Sequence, residues 1–352
     1  MFSVAKKFRG EALSFDNVLL LPQKSSVASR DDVDLSTSLC EGMPLLHPVI
    51  PTNMSTVTEL DMLNLLMSTG GVAFVHRFMP EEKMIDIIKQ SNNKGVFSIG
   101  VKDSDYKFLD KCSSLGLRPS AWLIDIAHGD STLVIDMIHY TKKIYGDSFP
   151  VVAGNVATGD AYLRMVDAGA SAVRVGIGGG SVCSTHYVTG HGLPTLASII
   201  DCNAARESYH LSVPIIADGG IKHSGDIVKA LAFGADAVCC GKLFAGSSAT
   251  PGDLIEIIGA DGVRKKYKEY FGMSSQVAQD RHKGGLRRSV AAEGIDVLVE
   301  YSGSSEDILE KLLGGVRSGL AYSGARNIQQ LRENFEYVVI TPGNSSNNNW
   351  RQ

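Results

Sequence analysis

Eight short apolar runs, separated by segments of helical period, constrain the fold of this chain more than any other feature. The runs occupy 48–54, 72–78, 96–102, 121–128, 150–156, 172–177, 214–220 and 237–243. Each is almost continuously apolar, which is typical of parallel strands buried on both faces. Between them lie segments such as EEKMIDIIKQS, STLVIDMIHYTKKIYG and SGDIVKALAFGA, whose apolar residues recur at helical spacing. Eight strand–helix units predict an α/β fold, the (β/α)8 or TIM barrel.

The chain is predicted to form one barrel domain over residues 1–340, because no separate domain interrupts the series of units. A weak internal repeat supports this: GNVATGDAYLRMVDAGASAVRVG resembles GGIKHSGDIVKALAFGADAVCCG in its Gly-Asp pair and its final Val-x-x-Gly. Two connections are long, 178–195 and about 250–300, and long loops in compact domains are commonly functional. The second is expected to contain a flap after strand eight, at about 272–300. The polar end of the chain, 341–352, is expected to be disordered.

Composition narrows the range of functions. A hydrophobic content of 44% supports a large buried core, and a formal net charge of −4 gives no general attraction to nucleic acid or anionic membranes. No apolar run approaches the length of a membrane span. The first residues lack the apolar core of a signal peptide. We therefore expect a cytoplasmic protein with neither nucleic acid nor a membrane as partner.

The six cysteines are irregularly spaced, without a C-x-x-C or H-E-x-x-H pattern, so neither a disulfide framework nor a zinc site is indicated. Five are interpreted as buried, reduced thiols. Cys183 is the exception, because it lies in the glycine-rich segment GIGGGSVCSTHYVTGHGLP, residues 176–194. Such a loop exposes backbone amides, which favour a thiolate over a thiol. Ser181 offers a hydroxyl to a phosphate oxygen, and Thr185 can bring a second hydroxyl to the same reacting centre.

Polar residues and glycines recur where the predicted strands end, and barrel enzymes carry out their chemistry at that face. They are Asn53, Asp125, Asn155, Gly176, Asp218 and Gly241. The alternative interpretation is that such residues only make tight turns.

A phosphate or ribose site is predicted at the ends of strands seven and eight. Asp218-Gly219-Gly220 combines accessible backbone with a carboxylate that can accept two hydroxyl protons of a ribose diol. Gly241-Lys242 combines a backbone amide with a cation, and barrels often hold phosphate at this point. For Lys242 the alternative is a solvated lysine at a strand end.

Several long segments together resemble the IMP dehydrogenase/GMP reductase family. They are FDNVLLLP, GNVATGDAYLRMVDAGASAVRVGIGGGSVCST, IIADGGIKHSGDIVKALAFGADAV and YKEYFGMSS, and the similarity runs in order from about residue 12 to about residue 335. The resemblance implies the barrel predicted above. It also implies chemistry at C2 of a purine nucleotide, through a covalent thioimidate on the loop cysteine, Cys183.

Within the family, the differences point to the reductase branch. Dehydrogenases usually carry regulatory domains between the second strand and its helix, whereas here VAFVHRF is followed almost directly by PEEKMIDIIKQS. Dehydrogenases also have a longer flap with an Arg-Tyr pair that activates water. The stretch QVAQDRHKGGLRRSVAAEG after GMSS is short and contains no Arg-Tyr. Asn53-Met54, GVKDSDY and LLGGVRSGLAYSGA also resemble reductases more closely.

The resemblance implies that NADPH reduces GMP to IMP with release of ammonia. Cys183 would attack C2, and Thr185 with Glu293 would relay the proton that the leaving nitrogen needs. For Glu293 the alternative is a solvent-facing flap carboxylate. Ribose, phosphate and base would be bound by Ser181, Asp218, Gly219, Gly220, Gly241, Lys242, Tyr270, Gly272, Met273, Ser274 and Gly294.

The resemblance further implies a nicotinamide site and a monovalent cation site. The cofactor would contact Arg77, Asp125, Ile126, Ala127 and Ser318. Backbone carbonyls of Gly178, Gly180, Cys183 and His186 would coordinate K⁺. Family members are typically tetramers, so a homotetramer is expected.

Three residues depart from the family pattern: Lys242 replaces a small residue, Val290 an arginine and Thr195 a glutamine. They leave a deoxy or modified guanine nucleotide open as the substrate. Two other readings stay open. One is a dehydrogenase without regulatory domains, which converts IMP and NAD to XMP. The other is an inactive nucleotide-binding barrel, although that reading predicts loss of Cys183, which is present.

Overall fold

The predicted barrel is confirmed. The computed structural model describes residues 9–259, 262–283 and 291–340. Three strands come first: β1 (Val18–Leu20), β2 (Thr37–Cys40) and β3 (Met43–Leu45). The barrel strands are β4 (Val49–Pro51), β5 (Phe74–Val75), β6 (Val96–Ile99), β7 (Ala121–Asp125), β8 (Val151–Val156), β9 (Ala172–Val175), β10 (Ile215–Asp218) and β11 (Ala237–Cys240). All pair in parallel, in the order β4-β11-β10-β9-β8-β7-β6-β5, and form a nearly closed barrel.

The strands are apolar throughout because both of their faces are buried. Ile50, Phe74, Leu123 and Ile216 belong to a cluster inside the barrel. Their chain neighbours belong to a second cluster under the helices, as the period of two along a strand requires. The β2–β3 hairpin adds Leu39 to the interior cluster, and its Thr37 hydroxyl bonds the Asp236 carbonyl at the N-terminal end of β11. The hairpin therefore packs at the end of the barrel opposite to the carboxyl ends of the strands.

Helices follow the barrel strands, as the helical periodicity predicts. They are α1 (Leu60–Ser68), α2 (Glu81–Gln90), α3 (Asp103–Ser114), α4 (Thr132–Tyr145), α5 (Gly159–Asp167), α6 (Thr185–Thr189), α7 (Thr195–Ser208), α8 (Ser224–Ala232), α9 (Gln276–Lys283), α10 (Ser305–Tyr322) and α11 (Ile328–Asn334). Side-chain caps fix several starts: Ser131 accepts from the Leu133 amide at α4, and Thr158 accepts from the Ala161 amide at α5.

The long connection after β11 contains a small antiparallel sheet that the sequence did not predict. Its strands are β12 (Ile255–Ile258), β13 (Arg264–Phe271) and β14 (Asp296–Glu300), in the order β12-β13-β14. Helix α9 lies between β13 and β14 in the chain, so the predicted flap, 272–300, is anchored on two paired strands. The last strand, β15 (Tyr337–Val339), pairs with β1.

Two further predictions concern membrane spans and the polar tail. Among the helices of the described residues, none is long and apolar enough to cross a membrane. The predicted polar tail, 341–352, lies outside the described residues, and so does Val290 of the flap.

Candidate active site

A cavity of about 350 Å³ opens at the carboxyl ends of the barrel strands. It collects side chains that are far apart in the chain because parallel strands all end at the same edge of a barrel. Nineteen of the predicted site residues line it: Arg77, Asp125, Ile126, Ala127, Gly178, Gly180, Ser181, Cys183, Thr185, Asp218, Gly219, Gly220, Gly241, Lys242, Tyr270, Gly272, Met273, Ser274 and Glu293. One cavity thus contains the predicted nucleophile and most of the predicted nucleotide contacts.

Cys183 is the half-buried thiol of the chain, and the other five cysteines are fully buried. Its Sγ lies 3.2 Å from the Thr185 hydroxyl oxygen, which is hydrogen-bonding distance for sulfur. Burial raises the pKa of the Cys40 thiol to about 11 and that of Cys112 to about 12. The interpretation of five inert thiols and one accessible thiol is therefore supported by geometry.

Residues 293–295 of the flap pair with the cysteine loop, which is the glycine-rich segment 176–194 that contains Cys183. Cys183 and Gly294 form an antiparallel bridge, the Ser184 amide donates to the Glu293 carbonyl at 3.1 Å, and the Ile295 amide donates to the Val182 carbonyl at 3.0 Å. The Glu293 amide in turn donates to the Ser274 carbonyl at 3.0 Å. These bonds fix the backbone of Glu293 one residue from the bridge to Cys183.

The predicted ribose and phosphate residues surround the other side of the cavity. Gly219 and Gly220 have φ of +89° and +78°, which only glycine adopts without strain. A Cβ on Gly241 would lie 2.7 Å from the Tyr270 hydroxyl, so this glycine is required by close packing. Burial raises the pKa of Tyr270 to about 12, so its phenol remains a hydrogen-bond donor at neutral pH. Lys242 is exposed at the cavity wall.

Asp125 carries the negative charge at the predicted cofactor end. Burial opposes its ionisation, but the charges of Arg174 and Arg77 outweigh burial and hold its pKa below the ordinary value. The Arg77 Nε lies 3.4 Å from Asp125 Oδ2. Ile126 and Ala127 continue the wall after β7.

Arg174 is the functional candidate that the sequence analysis missed. It is only 4% exposed and hydrogen-bonds Asn53, Asp125 and Asn155, each from a different barrel strand or the segment after it. The available signal was a single charged residue in the apolar strand Ala-Val-Arg-Val. Asn53 and Asn155 were predicted only as polar strand ends, and they lie in this cavity as well.

Three predicted residues are placed outside the cavity lining. Gly294 forms a backbone bridge with Cys183, which lines the cavity. His186 is exposed on α6, and its carbonyl accepts from the Gly190 amide at 3.1 Å. Ser318 lies on α10, where its hydroxyl bonds the Gly314 carbonyl at 3.0 Å. The cation and cofactor roles of His186 and Ser318 stay predictions.

The donors available to a metal ion in the cysteine loop are backbone carbonyls. In the described ranges no three side chains of His, Cys, Asp or Glu come together as a metal site. The Gly180 carbonyl accepts from the Cys183 amide at 3.1 Å and, like the His186 carbonyl, keeps a second lone pair. Neutral oxygen donors of this kind suit a hard monovalent cation.

Departures from the family pattern differ in their surroundings. Thr195, where glutamine is common, is 3% exposed and packs behind the cysteine loop, with its hydroxyl 3.4 Å from the Asp218 carbonyl oxygen. A Cβ on Gly179 would lie 2.4 Å from that hydroxyl. Thr195 therefore supports the cysteine loop by packing against Gly179.

Comparison with known proteins agrees with this site. The family model for the IMP dehydrogenase / GMP reductase domain matches residues 12–349. The chain is 38% identical over 338 residues to a GMP reductase of Lactobacillus johnsonii, covering 95% of this chain and 96% of the relative. It is 40% identical over 331 residues to a GMP reductase of Bacillus subtilis, covering 93% and 95%. A GMP reductase of Clostridium acetobutylicum gives the same identity and coverage. Fold, cavity and sequence thus agree that the chain belongs to the IMP dehydrogenase/GMP reductase family.

Proposed function

We propose that this protein is a GMP reductase, which converts GMP to IMP and ammonia at the expense of NADPH. The observation that carries the proposal is the position of Cys183. Its thiol lies 3.2 Å from the Thr185 hydroxyl in a cavity that also contains the Asp218 carboxylate and the Lys242 cation. The relatives named GMP reductase, at 38–40% identity over most of the chain, support the same substrate.

In this proposal Asp218 accepts the hydroxyls of the ribose. Gly219, Gly220 and Gly241 present backbone to the phosphate, and Lys242 adds a positive charge. Met273, Ser274 and Gly294 meet the base from the flap. Binding from both ends would place purine C2 at the Cys183 sulfur, and proximity of this kind can supply a large part of a rate enhancement.

The chemical step uses the thiol and one proton relay. The Cys183 sulfur forms a bond to C2, the bond from C2 to the 2-amino nitrogen breaks, and the thiol proton leaves with that nitrogen as ammonia. Amide is a poor leaving group, so the nitrogen must be protonated as it departs. Thr185, in contact with the sulfur, would pass that proton, and the Glu293 carboxyl group would complete the relay.

The residues at the Asp125 end fit a nicotinamide cofactor. A half-buried, ionised carboxylate suits a ribose diol, and the Arg77 guanidinium offers several donors beside it. When bound, NADPH supplies the hydride that reduces C2 and releases IMP. Arg77, Asp125, Ile126 and Ala127 would hold its nicotinamide end, and Ser318 would contact it elsewhere.

Three accompanying features belong to the same proposal. The carbonyls of Gly178, Gly180, Cys183 and His186 would hold K⁺ and so fix the cysteine loop. A homotetramer is supported by apolar side chains exposed beside the flap, such as Ile258 (63%) and Leu298 (46%). A cytoplasmic location is supported by six free thiols, since a reducing compartment maintains them.

The experiment compares two reactions by absorbance at the nicotinamide band. With GMP and NADPH, the absorbance of NADPH should decrease, and the amount of ammonia released should equal the amount of NADPH oxidised. IMP with NAD should give no sustained XMP formation, because the flap sequence 276–294 has no Arg-Tyr pair to activate water. Robust XMP formation without GMP-dependent oxidation of NADPH would refute the proposal in favour of a dehydrogenase.

A further inference from the structure

The interior of the cavity contains a continuous chain of polar contacts between two of its carboxylates, Asp218 and Asp125. Asp218 stands at the proposed substrate end and Asp125 at the proposed cofactor end. Asn155 Nδ2 donates to Asp218 Oδ2 at 2.7 Å, and Asn155 Oδ1 accepts from Arg174 Nε. Arg174 Nη2 donates to Asp125 Oδ1. Two side chains therefore connect the groups that would bind the two ribose units.

Arg174 is bound too tightly to move independently of this chain. Its three guanidinium nitrogens contact acceptors on three different elements, because Nη1 donates to Asn53 Oδ1. The Arg174 Nε also lies 3.7 Å from Asp218 Oδ2. A cation that is 4% exposed is costly unless its donors are satisfied, so rotation of one partner is transmitted to the others.

Asn155 has a single orientation that serves this path. Its Nδ2 donates both to Asp218 Oδ2 and to the Gly176 carbonyl, each at 2.7 Å, and so its oxygen must face Arg174. Asp218 Oδ1 has no protein partner within 9–259, 262–283 and 291–340, which leaves it available to a ligand hydroxyl. A ligand that fixes Asp218 would therefore fix the positions of Asn155, Arg174 and Asp125 in turn.

We propose that Arg174 is a positioning residue that couples nucleotide binding to cofactor binding. The proposal rests on the proposed function, because it takes GMP and a nicotinamide dinucleotide as the two ligands. The first ligand holds the carboxylate that it contacts in one position, and Asn155 and Arg174 transmit that position to the carboxylate at the other end. The second ligand meets a carboxylate that is already in place, so the two ligands strengthen each other's binding. By thermodynamic linkage the effect must be equal in both directions.

The test uses GMP and NADP⁺ with ammonia present, so that C2 receives no hydride and the loss of ammonia from GMP is suppressed. Calorimetry gives the Kd of GMP with and without saturating NADP⁺, and the converse. In the parent protein each ligand should improve the affinity of the other by about fivefold or more, the usual lower range of such couplings. In Arg174→Lys, which keeps the charge but contacts fewer acceptors, the factor should fall to about one, and each ligand alone should bind within about tenfold of the parent.

Asn155→Ala breaks the same path at another contact and should also abolish the coupling, whether or not Arg174→Lys folds. Arg206→Lys is the matched control. Arg206 is another little-exposed arginine, bonded to Asp236 at the opposite end of the barrel, and its loss should leave the coupling intact. Coupling that persists in a folded Arg174→Lys or Asn155→Ala protein would overturn the inference. So would loss of both ligands beyond tenfold in each variant, which indicates a structural role alone.

The two levels of the proposal fail in different ways. A parent protein that binds GMP and NADP⁺ without mutual effect would refute the coupling and leave the proposed function standing. A parent protein that binds neither ligand would refute the proposed function and the coupling with it.

Discussion

At the scale of single residues, the proposed reaction needs a group that bonds C2 through sulfur and groups that protonate the departing nitrogen. Cys183 and Thr185 are two residues apart, and their side chains are in contact at 3.2 Å. Glu293 reaches the same cavity from the flap, about 110 residues later in the chain, and is half-buried there. Of these three residues, only Glu293 depends on the fold of the flap for its position in the cavity.

Glu293→Gln should separate the two half-reactions. Deamination needs a proton on the leaving nitrogen, and loss of a general acid commonly costs about 10²–10⁴-fold in rate. Steady GMP turnover should fall by that factor, while a burst of NADPH from IMP and NADP⁺ without ammonia should survive. Stopped-flow absorbance measures both. The control is Glu300→Gln, an exposed carboxylate on β14 paired with Lys265, which should leave both phases unchanged. Equal loss of both phases would mean that Glu293 positions the flap and relays no proton.

Residue identity was predictable where the chemistry is local. The glycine-rich loop contains Cys183 and Thr185 two residues apart, so the sequence alone indicated that these side chains lie together. Arg174 was not predictable, because its value comes from partners that the chain brings together across the barrel. Its bond to Asn53 joins residues 121 apart, and no local pattern encodes that contact.

At the scale of elements, the flap and the cysteine loop meet through closely packed backbone. A Cβ on Gly272 would lie 2.8 Å from the Val182 carbonyl oxygen, and one on Gly294 would lie 3.1 Å from the same atom. Both glycines also approach each other, since the Gly294 Cβ would lie 3.2 Å from the Gly272 Cα. The flap can therefore cover Cys183 only while these positions have no side chain.

Gly272→Ala should separate the flap from the cysteine loop. The new methyl group must push the flap strand away from Val182, which weakens the bridge between Cys183 and Gly294. We expect kcat/KM for GMP to fall by at least tenfold, a change of about 1.4 kcal/mol, and alkylation of Cys183 by iodoacetamide to become faster. Gly225→Ala is the control, because a Cβ there meets no atom within 4 Å and Gly225 is exposed in the first turn of α8. Unchanged kinetics in Gly272→Ala would show that the flap does not need this close approach.

Elements were predictable where burial is uniform along them. The eight barrel strands are apolar runs covered on both faces, so a single sequence is enough to predict them. Strands β12 to β14 gave no such signal. The segment Arg264–Phe271 reads RKKYKEYF, in which one exposed arginine and two exposed lysines at one end are followed by buried Tyr270 and Phe271 at the other.

At the scale of the whole molecule, a buried histidine outside the catalytic end links stability to pH. His47 is 2% exposed just before β4, with Nε2 3.1 Å from the Thr69 hydroxyl. Burial, aided by the charge of Arg317, lowers its pKa to about 4 from 6.5. Between these values the unfolded chain binds a proton that the folded protein does not. The contribution of neutral His47 to the free energy of unfolding is therefore fully present above pH 6.5 and is lost as the pH falls toward 4.

His47→Gln should flatten this dependence. The linked free energy is on the order of 3 kcal/mol across the window from pH 6.5 to 4, if the whole shift is realised. Urea unfolding at half-unit steps measures the free energy of unfolding in parent and variant. The exposed His139 on α4, changed to Gln, is the control and should retain the slope of the parent. A parent and a His47→Gln protein with parallel pH profiles would contradict a neutral, buried His47.

In the proposed reaction Cys183 forms a covalent bond with the purine, and in the reverse direction ammonia, not water, resolves that bond. IMP and NADP⁺ without ammonia should accumulate a purine adduct, seen by intact-protein mass spectrometry and localised to the Cys183 peptide. Added ammonia should discharge the adduct to GMP, and Cys183→Ser should form none while still binding IMP. Absence of the adduct, or its steady hydrolysis to XMP without ammonia, would contradict the account.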